Sequence, residues 1–310
     1  MKWRPSELRV RKLGMIYSYP MGVWLLVFFV IPLAIIFLYS FLTRDIYGTV
    51  KYPFTLSAYQ AMFSKSYGVV LFRTIWITVL STVLCLLLSL PAGYAMARSK
   101  NQTFLLFLVM VPFWTNSIIR IFAWITLLSS EGILSHMLQG LGLLDQGMDL
   151  MYNNGAVVLV LVYMYIPYSI LPLFTTIDKF DFSLLDAARD LGATKFQAIV
   201  KVLLPNIKSG ISTALIFTAI PIFGAYTVPQ LVGGKESTML GNIIVEQVQK
   251  ARNLPLASAF SVVLCLASTF GVLWMLKDAG SSKTKSSLSQ QAKVEANVKL
   301  SHQGDSNERA

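Results

Sequence analysis

Charge is what this 310-residue chain has least of: 13% of its residues are Asp, Glu, Lys or Arg, about half the share of a soluble domain. With 55% hydrophobic residues and a mean hydropathy of +0.61, it has too little polar surface to face water, so lipid is the solvent for most of it. Acidic groups are scarcer still, and none falls inside any of the six long apolar runs. A self-contained secondary carrier would need ion-coupling acids at mid-membrane, usually with internal repeat symmetry, and neither is present. Cys85 and Cys265 both sit inside apolar runs, which reads as small buried hydrophobes rather than a disulfide or a metal pair. His136 and His302 lie far apart with no second ligand at metal spacing, so no metal site is assigned. No nucleophile–base pair suggests an intramembrane enzyme. A nucleotide site is missing too: Gly233-Gly234-Lys235-Glu236 has Glu where a P-loop needs Ser or Thr and lacks the earlier glycine. The formal charge of +11 does not point to nucleic acid, because Lys and Arg fall in short stretches between apolar runs rather than on one basic face.

What the chain does have is length without charge. Six stretches reach the roughly 20 residues a membrane-spanning helix needs: Met21–Leu42, Thr74–Ala97, Phe104–Leu128, Ala156–Phe174, Ile211–Val232 and Leu256–Leu276. The first is too long for a signal-peptide core and no small-x-small site precedes Thr43–Arg44, so it is read as retained. Of the 26 Lys and Arg residues, eighteen fall in the N-terminal segment, after the second and fourth runs and in the C-terminal stretch, against six in the alternate stretches. The positive-inside rule then predicts both termini in the cytoplasm. The expected organisation is a cytoplasmic segment over 1–20, a first helix over 21–42, a five-helix core over 69–277 and a disordered Ser/Lys/Gln-rich tail over 278–310. On the exterior side, Leu134–Leu144 has apolar residues at helical spacing and is expected to lie along the outer membrane surface. Seven prolines fall in the spans: Pro32, Pro91, Pro112, Pro167, Pro172, Pro221 and Pro229. They read either as tolerated packing or as kinks around a gated cavity.

The most informative stretch is the loop Ser183–Pro205, between the fourth and fifth runs. Ser183 with Asp186 resembles a capping box, and Thr194 with Gln197 is a second one. Gly192 between them suits the left-handed position that ends a helix. The chemistry predicts helix, glycine turn, helix, with Pro205 breaking the second. Ala187 and Ala188 beside Asp186, Arg189 and Asp190 would let another protein's backbone approach closely. Phe196, Ile199, Val200 and Leu203 are expected to anchor the second helix to the bundle.

Asp186-Ala187-Ala188, Gly192, Val202, Leu204 and Pro205 resemble the EAA signature of binding-protein-dependent ABC importer permeases: Glu-Ala-Ala, three residues, Gly, nine residues, Ile-x-Leu-Pro. Asp stands here for Glu and Val for Ile. Pro112-Phe113-Trp114-Thr115-Asn116, Arg120, Ala123-Trp124, Leu231-Val232-Gly233-Gly234 and Leu240-Gly241-Asn242-Ile243-Ile244 are similar to the spermidine/putrescine branch of that family. The resemblance covers roughly residues 15–277. It implies an all-α membrane protein with the type-1 ABC importer transmembrane fold, placed as a multi-pass subunit in the cell inner membrane. The chain would be non-catalytic, with ATP and Mg bound by a separate ATP-binding subunit present in two copies. Other implied partners are a sister permease resembling PotC and an extracytoplasmic substrate-binding protein. The loop residues named above would couple ATPase motion to the spans. For a polycationic cargo the translocation-path candidates are Trp114, Asn116, Arg120, Tyr163 and Tyr226, since aromatic faces bind cations. Arg120 would repel such a cargo, which favours an ion-pair role for it. The alternatives kept open are the same architecture with another small solute, such as an opine, thiamine or an iron chelate, and a secondary carrier.

Overall fold

The computed structural model describes residues 19–45, 50–142 and 150–273. The N-terminal segment up to residue 18, the tail over 278–310 and the last residues expected in the sixth span lie outside these. Thirteen helices and one small hairpin follow in chain order: α1 Tyr19–Tyr39, β1 Thr43–Arg44, β2 Val50–Lys51, α2 Ser57–Met62, α3 Lys65–Ala97, α4 Gln102–Met110, α5 Ser117–Leu128, α6 Ile133–Gly140, α7 Asn154–Asp178, α8 Ser183–Asp190, α9 Lys195–Asn206, α10 Lys208–Phe223, α11 Thr227–Val232, α12 Leu240–Gln249 and α13 Leu254–Leu273. Five helical stretches are long and apolar enough to cross a membrane (α1, α3, α7, α13, and α5 with α6 taken together as Ser117–Gly140), or up to six if the bent pair α9–α10 counts as one span.

The described residues fall into two compact units, one formed by residues up to 72 with 239–266, the other by 73–238 with the rest of α13. In the first, α1 is apolar all round and exposed along nearly its whole length, as expected of a helix facing lipid. A two-stranded antiparallel hairpin follows, Thr43 opposite Lys51 and Arg44 opposite Val50. Arg44 Nη2 donates to the carbonyl of Ala251 at 2.6 Å, and Tyr59 Oη donates to Ser40 Oγ at 2.9 Å. Tyr67 stacks edge-on against Phe260 at 5.0 Å, setting the first turn of α3 on α13.

In the second unit α7 is the central element, with Val157, Val160, Leu161, Leu173 and Ile177 fully buried. Its start is capped by Asn153 Oδ1, which accepts the amide of Ala156 at 2.8 Å. Small and hydroxylated residues line one face of α3 at four-residue spacing, Ser81, Cys85, Ser89 and Gly93, all buried. Such rows let helix backbones approach closely where no hydrophobic driving force separates protein from lipid. Cys85 Sγ donates to the carbonyl of Val162 at 3.7 Å and Ser89 Oγ to that of Ile166 at 3.4 Å. Both partners advance together, so α3 and α7 run parallel. Between them the chain must return once: Phe113 stacks on Tyr168 at 5.0 Å and Trp124 on Tyr163 at 5.2 Å, so the segment from Phe113 through α5 runs antiparallel to α7. On another side α10 packs on α7 where Gly210 is buried against Thr176, whose Cβ lies 2.7 Å from where a Gly210 Cβ would stand.

Two expected spans are broken. The run Phe104–Leu128 is α4, a 3-10 turn over Val111–Trp114, an extended Thr115 (φ −91°, ψ 145°) and then α5. Asn116 starts α5 anew, its Oδ1 accepting the amide of Ile118 at 2.8 Å. The run Ile211–Val232 stops at Phe223 and resumes as the short α11. Apolar composition says nothing about backbone continuity, and in each case a polar or glycine residue supplies the stop. Pro91, Pro167, Pro172 and Pro221 stay inside continuous helices. The two π-helical turns of the described chain, Leu26–Val30 and Ile199–Leu203, end just before Pro32 and Pro205. A proline cannot bond to the carbonyl four residues back and its ring crowds that carbonyl, and a widened turn relieves both.

Candidate functional site

The loop between α7 and α10 folds as helix, glycine turn, helix, with two departures from expectation. The Ser183–Asp186 box does not form: Asp181 takes its place, its Oδ1 accepting the amide of Ser183 at 3.0 Å. The signal lay two residues upstream, in an Asp-x-Ser turn. The second box is complete, with Thr194 N–H to Gln197 Oε1 at 3.1 Å and Gln197 N–H to Thr194 Oγ1 at 3.2 Å. Between them α8 ends in a Schellman arrangement: the amide of Ala193 donates to the carbonyl of Ala188 at 3.1 Å and that of Gly192 to Arg189 at 2.9 Å. Gly192 holds φ at +88°, a conformation costly for any residue with a Cβ. Pro205 is not the breaking residue. It sits in the last turn of α9 after the π turn, and the 72° bend to α10 falls two residues later, at Ile207.

The loop is anchored from beneath and open above. Leu185, Ala198, Leu203 and Ile207 are buried in one cluster with Met96, Phe174 and Ile177, and Ala188, Val202 and Leu204 pack against it. Phe196 and Val200 do not anchor α9 as expected; Phe196 is 75% exposed and Leu191, at the turn, 90%. The four-residue repeat that turns Ala198 and Val202 toward the cluster leaves 196 and 200 on the opposite face. Asp186 and Ala187 are exposed, and Asp186 makes a 3.9 Å ion pair with Arg189, exposed and of little energetic weight. A polar cleft of about 560 Å³ lies between the two helices, lined by Asp186, Arg189, Asp190, Ala193, Thr194 and Lys195. At the root of the loop, Phe182 is gripped by Tyr94 (ring centroids 6.0 Å), Phe180 (5.6 Å) and the guanidinium of Arg98 (5.4 Å). Arg98 Nη1 also donates to Tyr94 Oη at 3.2 Å, and that hydrogen bond raises the Arg98 pKa above its ordinary value. Nearby, Gln102 Nε2 bridges the carbonyl of Ala97 (2.9 Å) and Asp178 Oδ1 (3.1 Å), tying the ends of α3 and α7 together. The clamp was not foreseen, because its halves, Tyr94 and Arg98 at the end of α3 and Phe180 and Phe182 before α8, are far apart in sequence.

The path candidates do not form one site. Trp114 is 73% exposed, edge-on to Phe107 at 5.5 Å. Asn116 is occupied as the cap of α5. Tyr226 stands at the start of α11, beyond the break in the fifth run. Of the five, Tyr163 and Arg120 lie along the same pair of helices: Tyr163 stacks on Trp124, one turn beyond Arg120 on α5, and Arg120 is within electrostatic range of Tyr165, which packs on Tyr168. None of the five lines the 530 Å³ cleft between α7 and α10, which is bounded by Tyr168, Pro172, Thr176, Thr213 and Phe217 among others. The Gly233–Gly234 pair is explained by close approach: a Cβ at Gly233 would stand 2.6 Å from the carbonyl of Pro229, and one at Gly234 would strike that of Tyr152.

The sequence pattern of the binding-protein-dependent transport system inner membrane component matches residues 86–276, an interval that contains the loop, its clamp and the aromatic cluster. The chain belongs to this family. This permease is 37% identical over 243 residues to the spermidine/putrescine transport system permease protein PotB of Haemophilus influenzae, covering 78% of this chain and 85% of that one. PotB of Escherichia coli is 37% identical over 245 residues, covering 78% and 89%. Among solved structures, a bacterial ABC transporter involved in the import of the acidic polysaccharide alginate superposes with a TM-score of 0.70 at 15% identity, covering 90% of this permease and 99% of that chain. A bacterial alginate ABC transporter in complex with an alginate pentasaccharide-bound periplasmic protein gives 0.69 at 16%, covering 87% and 94%. At those identities the likeness shows the fold alone. The chain is therefore a membrane permease subunit of the ABC importer class.

Proposed function

We propose that this permease imports polyamines of the spermidine/putrescine class, powered by an ATPase on a separate chain. The observation that carries the cargo is the 37% identity to PotB over most of both chains. An extracytoplasmic binding protein delivers the cargo to this subunit and a sister permease resembling PotC, and two copies of the ATP-binding subunit hold ATP and Mg. Both termini are cytoplasmic and the membrane is the inner one, in keeping with the Lys/Arg distribution.

Asp186, Ala187, Ala188, Gly192, Val202, Leu204 and Pro205 couple the ATPase to the spans in two roles. Asp186 and Ala187 face outward beside the polar cleft and meet the ATPase. Ala188, Val202 and Leu204 pack on the buried cluster and pass the displacement inward. Gly192 sets the angle between the two helices, and Pro205 stands in the last turn of α9, just ahead of the bend at Ile207. A rigid loop fixed to α7 and α10 moves the spans as a body, which is how alternating access is driven. Trp114, Asn116, Tyr163 and Tyr226 remain the aromatic and polar contributions of this chain to the cargo route.

A second reading, the same architecture carrying another small solute, is favoured by one observation: no acid lies in any span of this chain to receive a polycation. Uptake of labelled spermidine and putrescine into vesicles holding the complete importer, against competing solutes, separates the two. Competition by an unrelated solute at equal concentration would remove the polyamine assignment.

A further inference from the structure

Arg120 is the charge that this reading leaves unexplained. The ring contacts fix its depth: Phe113 meets Tyr168 and Trp124 meets Tyr163, so the residue between them on α5 lies level with Tyr165, within whose electrostatic reach it stands. Tyr165 is the twelfth of the 25 residues of α7. Arg120 is therefore at mid-depth, far from lipid headgroups at either surface. Its Nε and Nη1 are buried and have no hydrogen-bond acceptor among the described residues, while the side chain as a whole is partly exposed. No carboxylate lies within ion-pairing distance of it among those residues, and the sequence places none in any of the six apolar runs.

A guanidinium cannot shed its proton to escape this position, since it stays charged at any attainable pH. Held in hydrocarbon without a counter-charge it is costly, and intramembrane cations are found paired or facing a polar partner. Neither the described residues nor the apolar runs supply such a partner, which points to a counter-charge from another chain. A free anion is a poor answer at mid-membrane for a subunit proposed to carry cations.

We infer that Arg120 receives a carboxylate from an intramembrane Asp or Glu of the second permease subunit, forming an ion pair between the two chains at the level of Tyr165. The inference rests on the two-permease reading proposed above. The pair fixes the register of the two subunits and compensates the one cation of this cluster, leaving the aromatic faces around it free of net positive charge.

The test is recovery of the second permease subunit with this chain from the complete importer. Wild type is compared with Arg120→Gln, Arg120→Lys and Arg120→Glu, and each intramembrane acid of the second subunit is reversed to Lys in turn. Removing one partner of a buried charge pair is expected to lower recovery about tenfold or more for Arg120→Gln, with Arg120→Lys retaining most of it. Arg120→Glu is expected to regain recovery with one particular acid-to-Lys reversal and with no other. Full recovery with Arg120→Gln would overturn the pair, as would the absence of any rescuing reversal. If Arg120→Gln assembles normally but slows uptake, Arg120 belongs to the cargo route and the interchain pair is wrong. If wild type recovers no second subunit at all, the two-permease reading fails first and takes the pair with it.

Discussion

The loop over α8 and α9 and the aromatic cluster around Arg120 belong to the same compact unit, yet they use polar residues in opposite ways. In the loop the helix ends are satisfied locally, by a Schellman turn, an Asx cap and a capping box, so the backbone is rigid and the exposed face is left to meet another protein. In the cluster Arg120 keeps two buried donors without acceptors among the described residues. The first arrangement is complete within one chain and the second is not. A site that docks a partner can be built on satisfied local chemistry, whereas a site shared with a partner leaves part of its chemistry for that partner to supply.

Substitutions ordered by expected effect sharpen this contrast. Leu203, 3% exposed in the cluster beneath the loop, is the largest buried side chain of α9; Leu203→Ala should cost about 2–5 kcal/mol, read as a lowered melting temperature of the purified subunit. Gly210→Val, pressed against Thr176, should cost about 1–3 kcal/mol by overpacking, and a companion Thr176→Ala should recover part of the loss. Thr194→Ala removes one half of the capping box and should cost about 1 kcal/mol, seen as faster amide exchange in α9 with α8 unchanged. Phe196→Ser, on the exposed face, should change stability by less than about 0.5 kcal/mol while weakening capture of the ATPase subunit. A Phe196→Ser protein that binds the ATPase normally would mean that the outward face is not the docking face.

How much of this was legible beforehand differs from element to element. The spans realised in α1, α3, α7 and α13 were readable because each is a long apolar run bounded by polar residues. The breaks at Thr115 and Gly224 were not, since hydropathy registers burial in lipid and is blind to where the hydrogen-bond ladder stops. Asn116 after Pro112 was the only cue, and its part as the cap of α5 was not read from it. In the loop, Gly192 and the Thr194–Gln197 box were readable from spacing because capping is local chemistry. Which side of α9 faces the bundle was not, because Phe196 and Val200 look as apolar as Leu203 and only the packed neighbours decide. The mid-depth grouping of Arg120 with Tyr165 depends on two helices distant in sequence, which no single-segment pattern reveals.

The central claim, that an external ATPase works this permease through the loop at Gly192, is tested most directly by ATP-driven uptake of labelled spermidine in vesicles. The vesicles hold the permease pair, the ATPase and the binding protein, with wild-type chain or Gly192→Asp. The account predicts uptake that requires the ATPase and collapses with Gly192→Asp, although the altered subunit reaches the membrane in normal amount. Uptake that persists without the ATPase, or that survives Gly192→Asp undiminished, would contradict it.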